Sequence, residues 1–282
     1  MDHGPIAKEI VRQLEYSINR TRSRPIREYT PTKSVIERVK KEAEGESAFD
    51  EYGLRLELWN AYIRGDGGAT IRQFSDGSSQ FTVICAVGHP VRRLDYILSV
   101  WSRVCQLFGV CAKIIWFAHP MPRTVVRGGP GGPGPGQING GYCIRCNPNT
   151  IVIYRAEDAT RVLIHELLHA TCSDSRLSPL IPNVPYIESE AEAWAEIIHA
   201  ILFNGVKGVN AQLEYSVRQN KILRDIYSVT DPESYAWRYT VGKEDVWRRI
   251  GFALPVAAAF PLPRVPRTLS LSLSLTNTPH PK

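Results

Sequence analysis

His165, Glu166 and His169 are the residues of this chain whose types and spacing most directly define a chemistry. They stand as His165-Glu166-Leu167-Leu168-His169. Residues at i and i+4 share one face of an α-helix, so two imidazoles in this register can grip one ion. Zinc accepts nitrogen ligands readily and is held in four-coordinate geometry. A glutamate one position after the first histidine projects beside such an ion, where its carboxylate can take a proton from water. The neighbours Val162, Leu163, Ile164, Leu167 and Leu168 are apolar, which predicts a buried helix. Buried imidazoles and carboxylates need partners. The competing reading is a pair of hydrogen-bonded core histidines.

A catalytic zinc needs a third protein ligand. Carboxylates abound in Glu188-Ser189-Glu190-Ala191-Glu192-Ala193-Trp194-Ala195-Glu196. Glu188, Glu192 and Glu196 fall along one helical stripe, and such a stripe is ordinarily a solvated face. Here Ala191, Trp194, Ala195 and Ile198 predict a partly buried helix, so at least one glutamate turns inward. From the residues alone the ligand is open among the glutamates of this helix.

Over roughly residues 111 to 204 the chain resembles the zincin peptidases of the thermolysin-like, glutamate-ligand branch, the gluzincins. In that branch the third ligand lies on a following helix, often 18 or 19 residues beyond the second histidine; 18 residues separate His169 from Glu188. The ligand is often followed by a small residue at +3 and an acidic or amide residue at +4, as Glu188 is by Ala191 and Glu192. The resemblance implies Glu188 as ligand, Glu192 as the acceptor that orients a ligand histidine, and Glu166 as general base. Glu190 is the competing ligand, with Glu192 behind it and Asp174 an outside candidate because some zincins use an aspartate. It implies an edge strand that pairs with the substrate backbone, in the place of Ile138-Asn139-Gly140-Gly141-Tyr142. Asn139, Gly140 and Gly141 are then substrate-binding residues, the glycines allowing an extended peptide to approach. The competing reading of that segment is an ordinary glycine turn. The resemblance also implies a late His or Tyr for the oxyanion. Tyr235 and Tyr239 are the leading candidates, with His199 and Tyr215 behind them. The zincins with a third histidine and a methionine turn are excluded: no x-x-G-x-x-H follows His169, and the methionines are Met1 and Met121. The acidic aminopeptidase-type strand is also missing, which favours an endopeptidase. Across the whole chain, the compact core and repetitive tail resemble metallopeptidases encoded by large DNA viruses.

Several elements must position these residues. Ile6, Ile10, Leu14 and Ile18 have helical spacing over residues 5 to 19, and residues 33 to 44 form a second, charged helix ended by Gly45. Residues 69 to 74 and 79 to 87 read as strands joined by a turn at Asp76-Gly77. Residues 91 to 109 have helical periodicity and stop at Gly109, and residues 111 to 117 read as a buried strand. Residues 138 to 142 and 150 to 154 read as strands, and 157 to 172 as the motif helix with acidic residues at its start. Residues 186 to 203, 208 to 227 and 234 to 250 read as helices. The Gly/Pro run at 128 to 136 reads as a flexible surface insertion. The tail after residue 254, Pro-rich and then Ser/Leu-repetitive, is expected to be poorly ordered.

The fold class is therefore α+β, a zincin-like core in which a mixed sheet packs on the motif helix and a helical subdomain follows. The expected organisation is a helical and basic extension over 1–50, the metallopeptidase domain over 51–253 and a low-complexity tail over 254–282.

The 282 residues suffice for one large domain or two small ones, and 43% hydrophobic with 22% charged residues is ordinary for a globular chain. A net charge of +6 favours acidic partners only weakly. Its densest cluster, Arg20, Arg22, Arg24 and Arg27, reads as a solvated linker, because no aromatic stacking platform accompanies it. The start lacks an apolar leader, and no apolar run reaches the length of a spanning helix. The expected setting is intracellular: the cytoplasm, or the host cell or virion for a viral protein. Six cysteines in a reducing setting then read mostly as buried thiols, and Cys143-Ile-Arg-Cys146 as two local cysteines without a second pair for zinc. The expectation is one catalytic Zn2+ and a peptide or protein substrate, with neither membrane nor nucleic acid as partner. The alternatives are an inactive zinc-binding module of the same fold, and a nucleic-acid binder using the basic arm.

Overall fold

The computed structural model describes residues 2–65, 67–126, 133–174, 187–256 and 268–270. In chain order the elements begin with α1 (Pro5–Arg20), β1 (Arg27–Tyr29), α2 (Lys33–Glu44), α3 (Leu54–Ile63), β2 (Ala69–Ser75) and β3 (Gln80–Ala86). There follow α4 (Leu94–Leu107), β4 (Lys113–Phe117), β5 (Thr124–Val126), α5 (Pro135–Ile138), β6 (Gly141–Tyr142) and β7 (Ile151–Ile153). The chain continues with α6 (Ala159–Ala170), α7 (Ile187–Tyr227), α8 (Tyr235–Tyr239), α9 (Lys243–Arg249) and β8 (Thr268–Ser270). The class is α+β with a mixed sheet. Two compact units are present: described residues of Thr21–Pro122 with Asn139–Cys172, and described residues of Met1–Arg20, Arg123–Ile138 and Ser173–Lys282.

The first unit is built on a six-stranded sheet of order β1-β2-β3-β4-β7-β6. The β1–β2, β2–β3 and β7–β6 pairs are antiparallel, and β3–β4 and β4–β7 parallel. Successive strand residues face opposite sides of a sheet. Ile115 and Phe117 of β4 accordingly join Val39, Leu54, Leu58 and Trp59 of α2 and α3 in one apolar cluster. On β4 the alternate residue Trp116 meets Trp101 of α4, ring centroids 4.9 Å apart. The Trp101 indole N–H in turn donates to Thr160 Oγ1 of α6 at 3.0 Å. Helices therefore cover the sheet, and α6 is fastened to α4.

α3 is an element the periodicity did not reveal. Its residues, LRLELWNAYI, are apolar around much of the helix, so no single stripe marks it. Its start is set by Asp50, which lies four residues upstream. The Asp50 carboxylate accepts from the N–H of Leu54 and of Arg55, each at 3.0 Å, and pairs with Arg55 Nε. This satisfies two of the donors that open a helix. The basic segment is likewise more than a linker. Its arginines are exposed, but Arg24 N donates to Ser102 Oγ at 3.3 Å and Arg27 begins β1, paired with Ser75.

The second unit is mostly helical. α7 contains a break at Gly205 (φ 59°, ψ −161°), which separates the two helices expected over 186–203 and 208–227. The helix expected over 234–250 is two short ones, α8 and α9. Between them the chain passes Gly242, where a methyl group would stand 2.3 Å from Ser189 Oγ and 2.5 Å from the Trp237 ring. Packing against α7 therefore demands glycine there and interrupts the helix.

Three further expectations change. Residues 138 to 142 are not one strand: Ile138 ends α5, and only Gly141–Tyr142 pair with β7. The Gly/Pro run is not all surface insertion. Residues 128–132 lie outside the described residues, but Gly136 is buried within α5. The tail contributes β8, antiparallel to β5, with 257–267 and 271–282 outside the described residues. Among the described residues no helix is long and apolar enough to cross a membrane.

Candidate metal centre

α6 carries the motif. Within it every residue but His169 is buried, with His165 and Glu166 each 6% exposed. On one face of the helix the segment leading into β6 lies close against it. A Cβ at Gly140 would stand 2.9 Å from Val162 Cγ2. One at Gly141 would stand 2.7 Å from Val162 Cγ1 and 3.3 Å from Glu166 Cγ. Val162 and Glu166, one turn apart, thus form the face of α6 that rests on the glycines. These glycines serve an approach of strand to helix, which puts Glu166 beside the last strand of the sheet order. Asn139 is occupied within its own unit: its side-chain amide donates to Phe49 O at 3.3 Å, and its carbonyl accepts from Arg155 Nε at 3.0 Å.

The two histidines converge as their spacing predicts. His165 Nε2 and His169 Nε2 are 3.1 Å apart, the rings edge to face with centroids 4.7 Å apart. Tetrahedral zinc with nitrogens at about 2.05 Å places two ligand atoms roughly 3.3 Å from each other. The separation of the ring nitrogens is close to this. Among the described residues one group of three potential metal-ligating side chains is found: His165, His169 and Glu188, whose ligand atoms all lie within 4.8 Å of one another. One anionic and two neutral donors suit a divalent cation such as Zn2+. Three donors of this kind define a group able to hold an ion; by themselves they specify neither the ion nor a reaction.

The other glutamates of α7 have different surroundings. Glu190 is 1% exposed, and its Oε1 has no hydrogen-bond partner among the described residues. Burial first, and then the Asp174 carboxylate, raise its pKa to about 7, with the Trp194 indole acting in the opposite direction. Glu196 is committed to packing: it accepts from Gln212 Nε2 at 3.0 Å and Ser216 Oγ at 2.8 Å, and pairs with the buried Lys243. Glu192 is buried, and its charge is among those that raise the pKa of Tyr239.

Tyr235 and Tyr239 stack with centroids 4.6 Å apart. The Tyr239 hydroxyl is held well above the ordinary phenol range, by burial first and then by the Glu188 carboxylate, Tyr235 and Glu192. It is therefore a protonated donor at neutral pH, and it belongs to the surroundings of Glu188. The two reserve candidates have other contacts: His199 packs on Phe203 with centroids 4.7 Å apart, and Tyr215 accepts from Gln219 Nε2 at 3.2 Å.

Cysteine chemistry is where reading the sequence fell short. Cys85 and Cys105 are buried thiols, but Cys111 is exposed and Cys146 forms a disulfide with Cys172, Cα atoms 5.0 Å apart. The pairing follows from the backbone. The amides of Cys146 and Cys172 both donate to His169 O, at 3.0 Å each, which brings the two side chains together. Cys143, the other half of the C-x-x-C, points its thiol at Glu166 O, 3.3 Å away. The only signal in the sequence was that Cys172 follows the motif by three residues.

No protein-family model matches this chain, and neither a curated protein nor a solved structure shows significant similarity to it.

Proposed function

We propose that the protein is a zinc-dependent peptidase of the gluzincin kind, with His165, His169 and Glu188 as ligands. The observation that carries this reading is the convergence of those three side chains, with a glutamate directly beside the first histidine. Bound there, Zn2+ would supply Lewis acidity, polarising the scissile carbonyl and making water a better nucleophile at neutral pH. Everything else is work for the chain's own groups. Glu166 takes a proton from the attacking water and delivers it to the departing amine. Its burial keeps competing water away from that carboxylate. Tyr239, held protonated, donates a hydrogen bond toward the oxygen on which negative charge develops, and Tyr235 braces its ring. Substrate pairs in extended form along β6, which ends the sheet order next to Glu166. Attack by water forms no covalent link to the chain. The missing acidic strand for a free amino terminus favours internal cleavage.

Metal removal tests the proposal. Labelled casein is expected to be cut by the zinc-loaded protein, to survive after treatment with 1,10-phenanthroline, and to be cut again once Zn2+ is restored. Cleavage that ignores the chelator overturns the proposal. So does a zinc-loaded protein that leaves both casein and a mixed peptide library intact.

A further inference from the structure

The carbonyl of the second histidine anchors an arrangement that the peptidase reading does not use. His169 O receives two hydrogen bonds, from the amides of Cys146 and Cys172, and those two residues are joined by a disulfide. Both cysteines have left-handed backbone, φ 61° at Cys146 and φ 56° at Cys172, a region that L side chains rarely adopt. Something must keep both residues there. The shared carbonyl and the bond between their side chains do so together. Cys146 is exposed and Cys172 half-buried, so the bridge can be reached from solvent.

We propose that the Cys146–Cys172 disulfide is a redox modification site controlling the metal group, opened by a dithiol and acting through the backbone of His169. The inference rests on the reading of His165, His169 and Glu188 as metal ligands. In the opening step a thiolate of the dithiol attacks Cys146 Sγ. The Cys146–Cys172 bond breaks, and Cys172 leaves as a thiolate that takes a proton from solvent. The second thiol of the reagent, deprotonated, then attacks the mixed disulfide and releases Cys146, which is protonated in turn. The reagent is oxidised to its disulfide, and the two cysteines gain two electrons and two protons.

Opening has a local consequence. Without the bridge, each cysteine is free to relax out of the left-handed region, and its amide then leaves His169 O. The last turn of α6 then keeps the hydrogen bonds from Thr171 N and Oγ1 to Leu167 O but loses both at His169 O, and His169 stands in that turn. His165, four residues further in, is held by the packing of the helix on β6 and α4. Reduction therefore blurs the position of one imidazole while leaving the other fixed. The expected result is a loss of Zn2+ affinity of roughly tenfold or more, the range seen when a group that orients a ligand is removed.

The test uses the full chain in three states: oxidised, reduced with a phosphine that is then removed under argon, and the Cys146→Ser/Cys172→Ser double variant. Zn2+ affinity is measured by competition with a chromophoric chelator. Circular dichroism checks the fold, and alkylation with mass mapping reports which thiols are reactive. Cys146 and Cys172 are expected to be alkylated only after reduction. The oxidised chain is expected to bind zinc most tightly, and the other two states about tenfold or more weakly with helix content retained. Equal affinity in all three states overturns the proposal and leaves the metal reading standing. Alkylation of both cysteines before any reduction overturns it too. An oxidised chain that binds zinc no better than its His165→Ala variant overturns the metal reading, and this inference with it. Should the double variant fail to fold, the reduced wild-type chain decides.

Discussion

Replacing His165 with alanine is expected to strip the protein of its metal. The substitution removes one of three donors and leaves the other two, His169 and Glu188, with nothing to complete a closed set. Groups that only orient a ligand are worth about 10- to 100-fold in metal affinity, so the loss of a ligand must exceed that, by at least about 100-fold or roughly 2.7 kcal/mol. The purified variant should carry no stoichiometric zinc by elemental analysis and should bind it weakly in competition with a chelator. His165 is buried, and alanine leaves a hole in its place, so some stability is lost as well. A folded variant that retains one tightly held zinc contradicts the assignment. His169→Ala offers the same test with less damage to packing, because His169 is only half-buried.

Replacing Glu166 with glutamine is expected to do the opposite: zinc stays and turnover goes. The amide has nearly the volume of the carboxyl, so the close packing on Gly141 survives. What it lacks is basicity. A positioned general base contributes about 10²- to 10⁴-fold to rate, and kcat for casein cleavage should fall by that amount while zinc content stays unchanged. Because Glu166 is not among the three grouped donors, metal affinity should shift little. Equal loss of zinc and activity would turn Glu166 into a structural residue. Undiminished activity would remove it from the mechanism.

What the sequence made legible was local. The motif helix depends on positions within a few turns of one another, and it appears in the structure where its periodicity predicts it, over Ala159–Ala170. The β2–β3 hairpin was legible for the same reason, because Asp76-Gly77 fixes the turn and the alternation fixes the strands. α1 was legible as a helix but not by its buried face. Of the stripe read from Ile6, Ile10, Leu14 and Ile18, Ile18 is buried as expected, but at the start of the helix the buried positions are Ala7 and Val11, one residue further on, and Ile6 is 65% exposed. Apolar residues at both positions 10 and 11 left the phase of the helix to tertiary packing.

What stayed hidden depended on distant partners. α3 begins where Asp50 caps it from outside the helix, and no stripe announces it. Gly140 and Gly141 were read for a substrate alone, but Val162, some twenty residues later, also requires them. Gly242 interrupts a helix because Ser189 and Trp237 leave no room for a side chain. The Cys146–Cys172 bridge depends on a carbonyl, His169 O, that sequence spacing cannot reveal. The expectation of buried thiols came from an assumed reducing setting, and the shared acceptor overrode it. Glutamate roles were divided in the same way: Glu196 is taken by Gln212, Ser216 and Lys243, which lie 16 to 47 residues further along the chain.

The most direct test of the central claim is anomalous diffraction at the zinc absorption edge, from crystals of the full chain grown with one equivalent of Zn2+. The account predicts a single strong peak about 2.0–2.2 Å from a ring nitrogen of His165, a ring nitrogen of His169 and a carboxylate oxygen of Glu188. A peak at any other place, a peak ligated by Glu190 or Glu192 in place of Glu188, or a map without one would contradict it.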